Sequence, residues 1–345
     1  MFRDAGKEVC FLTELSVVGL KWYAGFHAKD GYPSSTIASQ KTVKISRLVH
    51  FYRKDGLKSR ILGLTEVIPL RFLLNLLTII MLLHTLTDLG SLVRYWQQCR
   101  RARAALDCQT ERVMYGAMRR QYFLRLTTAA SQPDRLAFYF HGGGWTFGRP
   151  ESFAAAAGPW LEAGFTVILP SYRRPPSVGM AGIVADCRAA IAAARPLKER
   201  VPEIHVGGIS AGAQLAALLA LRPEYWWAAG YESQPIRALL CSGPLSLQTV
   251  WPRAYFGRQK QFDPSNWLAA STSVDWLLLH GTEDGIVPFR HSEEFTELLN
   301  DQGASVRHLR LSGGHLAGGQ WMFGGTGHQE VAHFIGAAAG AEQRT

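Results

Sequence analysis

Gly208-Ile209-Ser210-Ala211-Gly212 ends an apolar run from Glu203 to Gly207 and opens a helix rich in alanine and leucine. A serine hemmed in by glycines fits a sharp strand-to-helix turn. At Gly208 or Gly212 a Cβ would collide with the neighbouring strand and helix. Such a turn lifts the hydroxyl out of a sheet and over a helix N-terminus, where developing negative charge is favoured. This is the pattern of a nucleophile elbow, but five residues arise by chance fairly often, so its weight depends on the rest of the chain.

Three further motifs stand in the order such a site needs. His141-Gly142-Gly143-Gly144-Trp145 ends the run Leu136 to Phe140. Consecutive glycines let backbone N–H groups approach a ligand closely, as an oxyanion hole requires. Gly142, Gly143 and Ala211 are the expected donors. His141 is read as structural, holding the loop through its ring, with Gly144 and Trp145 in support. The plainer alternative is an ordinary glycine turn.

His280-Gly281-Thr282-Glu283-Asp284-Gly285-Ile286-Val287-Pro288 follows the apolar run Trp276 to Leu279. A carboxylate there can reach a histidine on the next loop and fix its tautomer. Asp284 is preferred to Glu283 for its spacing to Val287-Pro288, leaving Glu283 as a solvated charge. Ser312-Gly313-Gly314-His315 follows the run Val306 to Leu311. A histidine on a glycine-flanked loop can swing over the serine as general base. The chain order Ser210, Asp284, His315 favours it over a merely structural histidine. His291 and His328 are read as helix-surface residues, His308 as a strand residue, and Trp226 and Trp227 as core.

Apolar runs of strand length recur at Tyr122–Leu126, Leu136–Phe140, Gly164–Leu169, Ile204–Gly207, Ala238–Cys241, Trp276–Leu279 and Val306–Leu311. Helical patterns fall between most of them, at Ser152–Ala163, Ile183–Ala194, Ala211–Leu221, Arg290–Asp301 and Glu330–Ala339. This alternation predicts an α/β fold, a mostly parallel sheet with helices on both faces. Serine, acid and histidine then all fall at C-terminal strand ends, where such sheets bind ligands.

From about Tyr115 to the C-terminus, roughly two thirds of the chain, the sequence resembles an α/β-hydrolase of the hormone-sensitive-lipase-like carboxylesterase branch. The resemblance rests on H-G-G-G-W-x-x-G at His141 to Gly148, Ser171-Tyr172-Arg173, G-x-S-A-G and the D-x-x-V-P loop. It implies hydrolysis of carboxylic esters through a covalent acyl-enzyme, with no metal and no organic cofactor. There are departures. Ile209 stands where many members carry an acidic residue, and Arg174-Pro175-Pro176 stands where many have Leu-Ala-Pro-Glu. Ser210 to Ala216 is also similar to prenylcysteine methylesterases, arylformamidases and feruloyl-esterase-like enzymes. An amide or formamide hydrolase of arylformamidase type and a non-catalytic binding protein therefore stay open beside the esterase. The aromatics Trp251, Tyr255, Phe256, Phe262 and Trp267 are candidates for lining a substrate pocket or for packing. Lack of a large insertion between Leu245 and Ser273, together with a possible N-terminal cap, points to a small acyl or aromatic ester.

At 345 residues and 47% hydrophobic, the chain can bury a large core without a metal or disulfide staple. Five scattered cysteines show neither metal-ligand spacing nor a disulfide framework. Of the net charge of +10, residues 1–60 supply a surplus of six. No nucleic-acid motif accompanies it, so nucleic acid is not an expected partner.

The expected organisation is a basic, partly disordered N-terminal region over 1–67, an apolar helix over 68–93, a basic linker helix over 94–114 and the hydrolase domain over 115–345. The uncharged centre of the apolar segment, Phe72 to Thr87, has 16 residues, about 24 Å as a helix. A bilayer core needs about 30 Å. Arg71, Asn75, Thr78, Thr85 and Asp88 share one side, which suits a helix lying on a membrane or capping a site as well as a span. No cleavable signal peptide is recognised at Met1. The prenylcysteine methylesterases join a membrane region to this kind of domain. The expectation therefore leans to an intracellular membrane over the cytoplasm, with the oligomeric state open.

Overall fold

The structure, a computed structural model, describes residues 9–17, 20–28, 92–196, 203–250 and 258–336. It divides into two units, Met1–Leu92 and Val93–Thr345. Within the first, β1 (Val9–Val17) pairs antiparallel with β2 (Leu20–Ala28), from Val9 opposite Ala28 to Val17 opposite Leu20. These strands fall in the stretch expected to be a weakly periodic basic region. Their Phe, Leu, Thr and Val against Trp, Tyr and Phe is strand-forming composition that the interspersed charges obscured. Most of the apolar segment 68–93, residues 68–91, lies outside the described residues. Among those described, no helix is long and apolar enough to cross a membrane.

The second unit is built on an eight-stranded sheet. Its strands are β3 (Gln109–Met114), β4 (Tyr122–Thr127), β5 (Gln132–Phe140), β6 (Phe165–Pro170), β7 (Glu203–Ile209), β8 (Arg237–Cys241), β9 (Asp275–Gly281) and β10 (Val306–Leu311), in the order β10-β9-β8-β7-β5-β6-β4-β3. Only the β3–β4 and β4–β6 pairings are antiparallel. The α/β architecture expected from the alternation is what the chain adopts.

Both faces of the sheet are covered, so its central strands are apolar throughout. Along β5, Leu136, Phe138 and Phe140 join the core beneath the helices Met180–Ala194 and Ala211–Ala220, while Ala137 and Tyr139 join the opposite core with Trp160, Trp321 and Phe334. In β9, Trp276 and Leu278 divide in the same way from Leu277 and Leu279. This is the two-residue side-chain period of a strand.

Several expectations need correction. The helix expected over 94–114 runs only over 92–104, and 109–114 is β3, the edge strand of the sheet. Gln109–Met114 is mostly exposed and polar, so no apolar alternation marked it as a strand. The helix is a packed element rather than a linker. Tyr95 and Cys99, one turn apart, are buried, and Trp96 meets Phe153 edge-on at 5.1 Å, while Arg94, Arg100, Arg101 and Arg103 stay exposed.

The helix expected over Ser152–Ala163 is broken into Pro150–Phe153, a 3₁₀ turn Ala154–Ala157, and Gly158–Glu162. Pro159 has no N–H to continue the ladder. A short helix, Pro223–Ala228, adds to the expected elements. It buries Trp226 completely but leaves Trp227 56% exposed, so Trp227 is not core.

His141, His205 and His291 are all buried, and burial pushes their imidazoles down to about 3, about 4 and about 4, respectively. In the unfolded chain such rings titrate near about 6.5. Between those limits the unfolded state binds more protons, so stability is fully present above pH ~6.5 and falls as the pH drops toward ~4. Each unit of depression is worth about 1.4 kcal/mol per ring as an upper bound. The urea midpoint should therefore drop steadily from pH 7 to pH 4.5; a flat profile over that range would contradict the buried neutral rings.

Candidate active site

Ser210 stands between β7 and the helix Ala211–Ala220 at φ 56°, ψ −125°, and its N–H donates to Cys241 O at 2.8 Å. A Cβ on Gly208 would strike the backbone of Gly212, and one on Gly212 would strike Phe140 O. The two glycines let helix, elbow and neighbouring strand close on one another.

His315 Nε2 lies 3.0 Å from Ser210 Oγ, and His315 Nδ1 lies 2.7 Å from Asp284 Oδ2. Asp284 Oδ1 accepts the amides of Ile286 and Val287 at 2.8 and 2.9 Å. Oδ2 faces a second ring, His280, whose Nε2 is 3.0 Å away. Burial alone would raise the Asp284 carboxyl, but hydrogen bonds from His280 and His315 outweigh it and hold the group well below the usual carboxylate range. Asp284 is thus a buried, fully solvated-by-protein carboxylate. Glu283 beside it is exposed, as expected.

Acid and histidine loops are joined through their backbones. Thr282 N donates to Leu311 O and Glu283 N to Gly313 O, at 2.8 and 3.0 Å. On the other side of the loop, Ser242 Oγ donates to His315 O at 3.1 Å.

The glycine loop after β5 lies against the elbow: a Cβ at Gly142 would be 3.0 Å from Ile209 O and 3.3 Å from Ser210 Cβ. Gly143 and Gly144 have φ of 122° and 53°, and Trp145 has 60°. Thr146 and Phe147 N both donate to Gly143 O at 2.9 Å, closing the turn. No loop or turn carbonyl among the described residues accepts from Gly142, Gly143 or Ala211.

His141 is buried, its Nδ1 2.8 Å from Gly142 O, its ring stacked on Tyr172 at 4.4 Å. Tyr172 OH donates to His141 O at 3.0 Å. With its imidazole held neutral, His141 fastens the loop. Arg174 donates to Gly148 O, and Trp145 Nε1 donates to Gln214 Oε1 at 3.1 Å.

Known proteins share this architecture. A family model described as alpha/beta hydrolase fold matches residues 137–276. That span holds the glycine loop and the elbow but ends before Asp284 and His315. The chain has the α/β-hydrolase fold. Zebrafish (Danio rerio) kynurenine formamidase is 26% identical over 196 residues, 52% of this chain and 64% of that protein, so the match spans less than two thirds of the relative. Among solved structures, a truncated carbohydrate esterase from gut microbiota superposes with a TM-score of 0.57 at 18% identity, covering 67% of this chain and 95% of that one. Esterase 2 of Thermogutta terrifontis gives 0.53 at 22% identity, covering 65% and 91%. At these identities the likeness is one of fold.

The structure brings Ser210, Asp284 and His315 within hydrogen-bond reach of one another and lays Gly142 of the glycine loop against the elbow. It also adds residues that sequence reasoning passed over: His280, Ser242, Gln214 and Ser292. His280 opens the same motif as Asp284, a signal within reach; the others carry none. His291 is corrected from helix surface to buried, its Nε2 3.3 Å from Thr249 Oγ1, because the face of the helix Arg290–Asp301 it occupies packs inward. His328 is partly buried, with Nδ1 2.8 Å from Trp321 O, and so is not a free surface residue either. Phe262 and Trp267 are half-buried, while Trp251, Tyr255 and Phe256 lie outside the described residues.

The contact of Gly212 with Phe140 leaves no room for a side chain. Gly212→Val should lower stability by about 2–3 kcal/mol, the usual penalty of overpacking, read as a fall in the urea midpoint. An unchanged midpoint would mean that elbow and strand are not pressed together as described.

Proposed function

We propose that this chain is a serine esterase of the hormone-sensitive-lipase-like carboxylesterase branch, cleaving small acyl or aromatic carboxylic esters. The observation that carries this reading is the unbroken line of hydrogen bonds Ser210 Oγ–His315–Asp284 at 3.0 and 2.7 Å. The line supports acyl transfer because each group suits its neighbour's need. His315 Nε2 takes the proton of Ser210 as the oxygen attacks the ester carbonyl. Asp284 holds the Nδ1–H tautomer and stabilises the imidazolium. The amides of Gly142, Gly143 and Ala211 receive the oxyanion. The C–O bond to the alcohol then breaks, His315 returns its proton to the departing oxygen, and water repeats the sequence to free the acid and Ser210.

A second reading, hydrolysis of an amide or formamide bond, is favoured by the similarity to kynurenine formamidase. The same residues serve it, since the leaving nitrogen also needs the proton of His315. A silent binding protein on this scaffold is less well supported, because serine, acid and base are all present and in mutual reach.

Ser210→Ala should lower kcat by about 10⁴–10⁶-fold and leave the fold intact. A fluorophosphonate probe should label the wild-type chain at Ser210 and not the variant. Near-normal ester turnover by purified Ser210→Ala would sink the serine mechanism. Wild-type turnover of N-formyl aromatic amides in preference to the matching esters would select the second reading.

A further inference from the structure

The carboxylate of Asp284 is shared. His315 Nδ1 and His280 Nε2 both reach its Oδ2, at 2.7 and 3.0 Å, while two backbone amides occupy Oδ1. His280 is completely buried and held from its other side as well, with Nδ1 2.5 Å from Ser292 Oγ. Its Nε2 also lies 2.9 Å from Val287 O. Two acceptors at Nε2 require the proton to be on that nitrogen, and the Ser292 hydroxyl can then donate to Nδ1. Ser292 stands in the helix Arg290–Asp301, which is thereby tied to the acid loop.

We infer that His280 is a positioning residue for the reaction proposed above: with Ser292 behind it, the ring sets the plane of the Asp284 carboxylate and draws off part of the negative charge that Oδ2 would otherwise give His315. The inference rests on the serine-hydrolase reading and names a group that reading does not use. A buried carboxylate oxygen with one donor fewer concentrates its charge on the donor left, and the imidazolium of His315 becomes easier to form. Orientation, in turn, loosens when the ring is gone, because Oδ2 is then held by His315 alone.

The charged and titratable neighbours of His280 are few. Asp284 faces it from the acid loop, His291 from the following helix, and His308 and Arg310 from β10. Burial keeps His291 and His308 down at about 4, so near neutral pH neither ring competes for the carboxylate's charge. Phe289 closes the remaining side, edge-on at 5.5 Å.

His280→Leu, His280→Gln, Ser292→Ala and Ser210→Ala are to be measured together, as purified full chains, on p-nitrophenyl acetate across pH 5 to 9. Removing the ring as leucine should lower kcat by up to about 100-fold, the loss that a misplacement of about 1 Å brings to a reacting group, with KM little changed. The acid limb of the pH profile should move to higher pH. Glutamine, whose amide N–H can reach Oδ2, should recover most of kcat and return the limb toward wild type. Ser292→Ala should shift kcat and the limb the same way but less, which keeps the idea testable should the leucine variant fail to fold. Wild-type kcat and profile in His280→Leu, or equal losses in the leucine and glutamine variants, would overturn the inference. So would a loss fully accounted for by fewer probe-labelled sites. Turnover surviving in Ser210→Ala would instead bring down the hydrolase reading, and this inference with it.

Discussion

The backbone of Ser210 sits at φ 56°, ψ −125°, a region that a residue with a side chain occupies only when its surroundings hold it there, at a cost of about 1–3 kcal/mol. Those surroundings are easily named. Gly208 and Gly212 allow strand and helix to touch, the Ser210 amide is bound to Cys241 O on β8, and every residue of the helix Ala211–Ala220 is buried. Had the helix been half exposed it could relax away from the sheet and release the turn. Buried on all sides, it cannot, and the hydroxyl stays above the sheet.

The other parts of the site are held by the same principle applied to loops. Acid loop and histidine loop are laced to one another by amides, and the histidine loop is tied to the end of β8 through Ser242. The glycine loop is fixed by Tyr172, Arg174 and the pair Trp145–Gln214, the last reaching on to Phe262 O at 2.7 Å. Groups set in place beforehand need no reorganisation when charge develops, which is the main source of electrostatic stabilisation in a site of this kind. The sheet contributes the rest, since parallel strands bring serine, acid and histidine to one edge.

Much of this was legible in the residues, and the failures have physical causes. Central strands were readable because burial on both faces makes them continuously apolar; β3 was not, because an exposed edge strand made of Gln109-Thr110-Glu111-Arg112 has no hydrophobic period to read. A run such as Ser152–Ala163 looks uniformly helical by composition, yet one proline at 159 breaks its ladder. His291, expected on a helix surface, is buried and Trp227, expected in the core, is exposed, since whether a helical residue faces core or water depends on how its helix is docked.

Taken alone, the amino-acid string determined where glycines had to stand, made Ser210, Asp284 and His315 the candidates for nucleophile, acid and base, and fixed that strands would alternate with helices. These are local properties, written in backbone freedom, side-chain chemistry and the period of burial. Only the tertiary structure decided that His280 shares the carboxylate of Asp284, that Ser292 stands behind it, and that the helix over 92–104 packs through Tyr95 and Cys99. Those outcomes join residues from separate elements through directional hydrogen bonds and close packing, and no pattern of spacing along one segment encodes which distant partner will arrive.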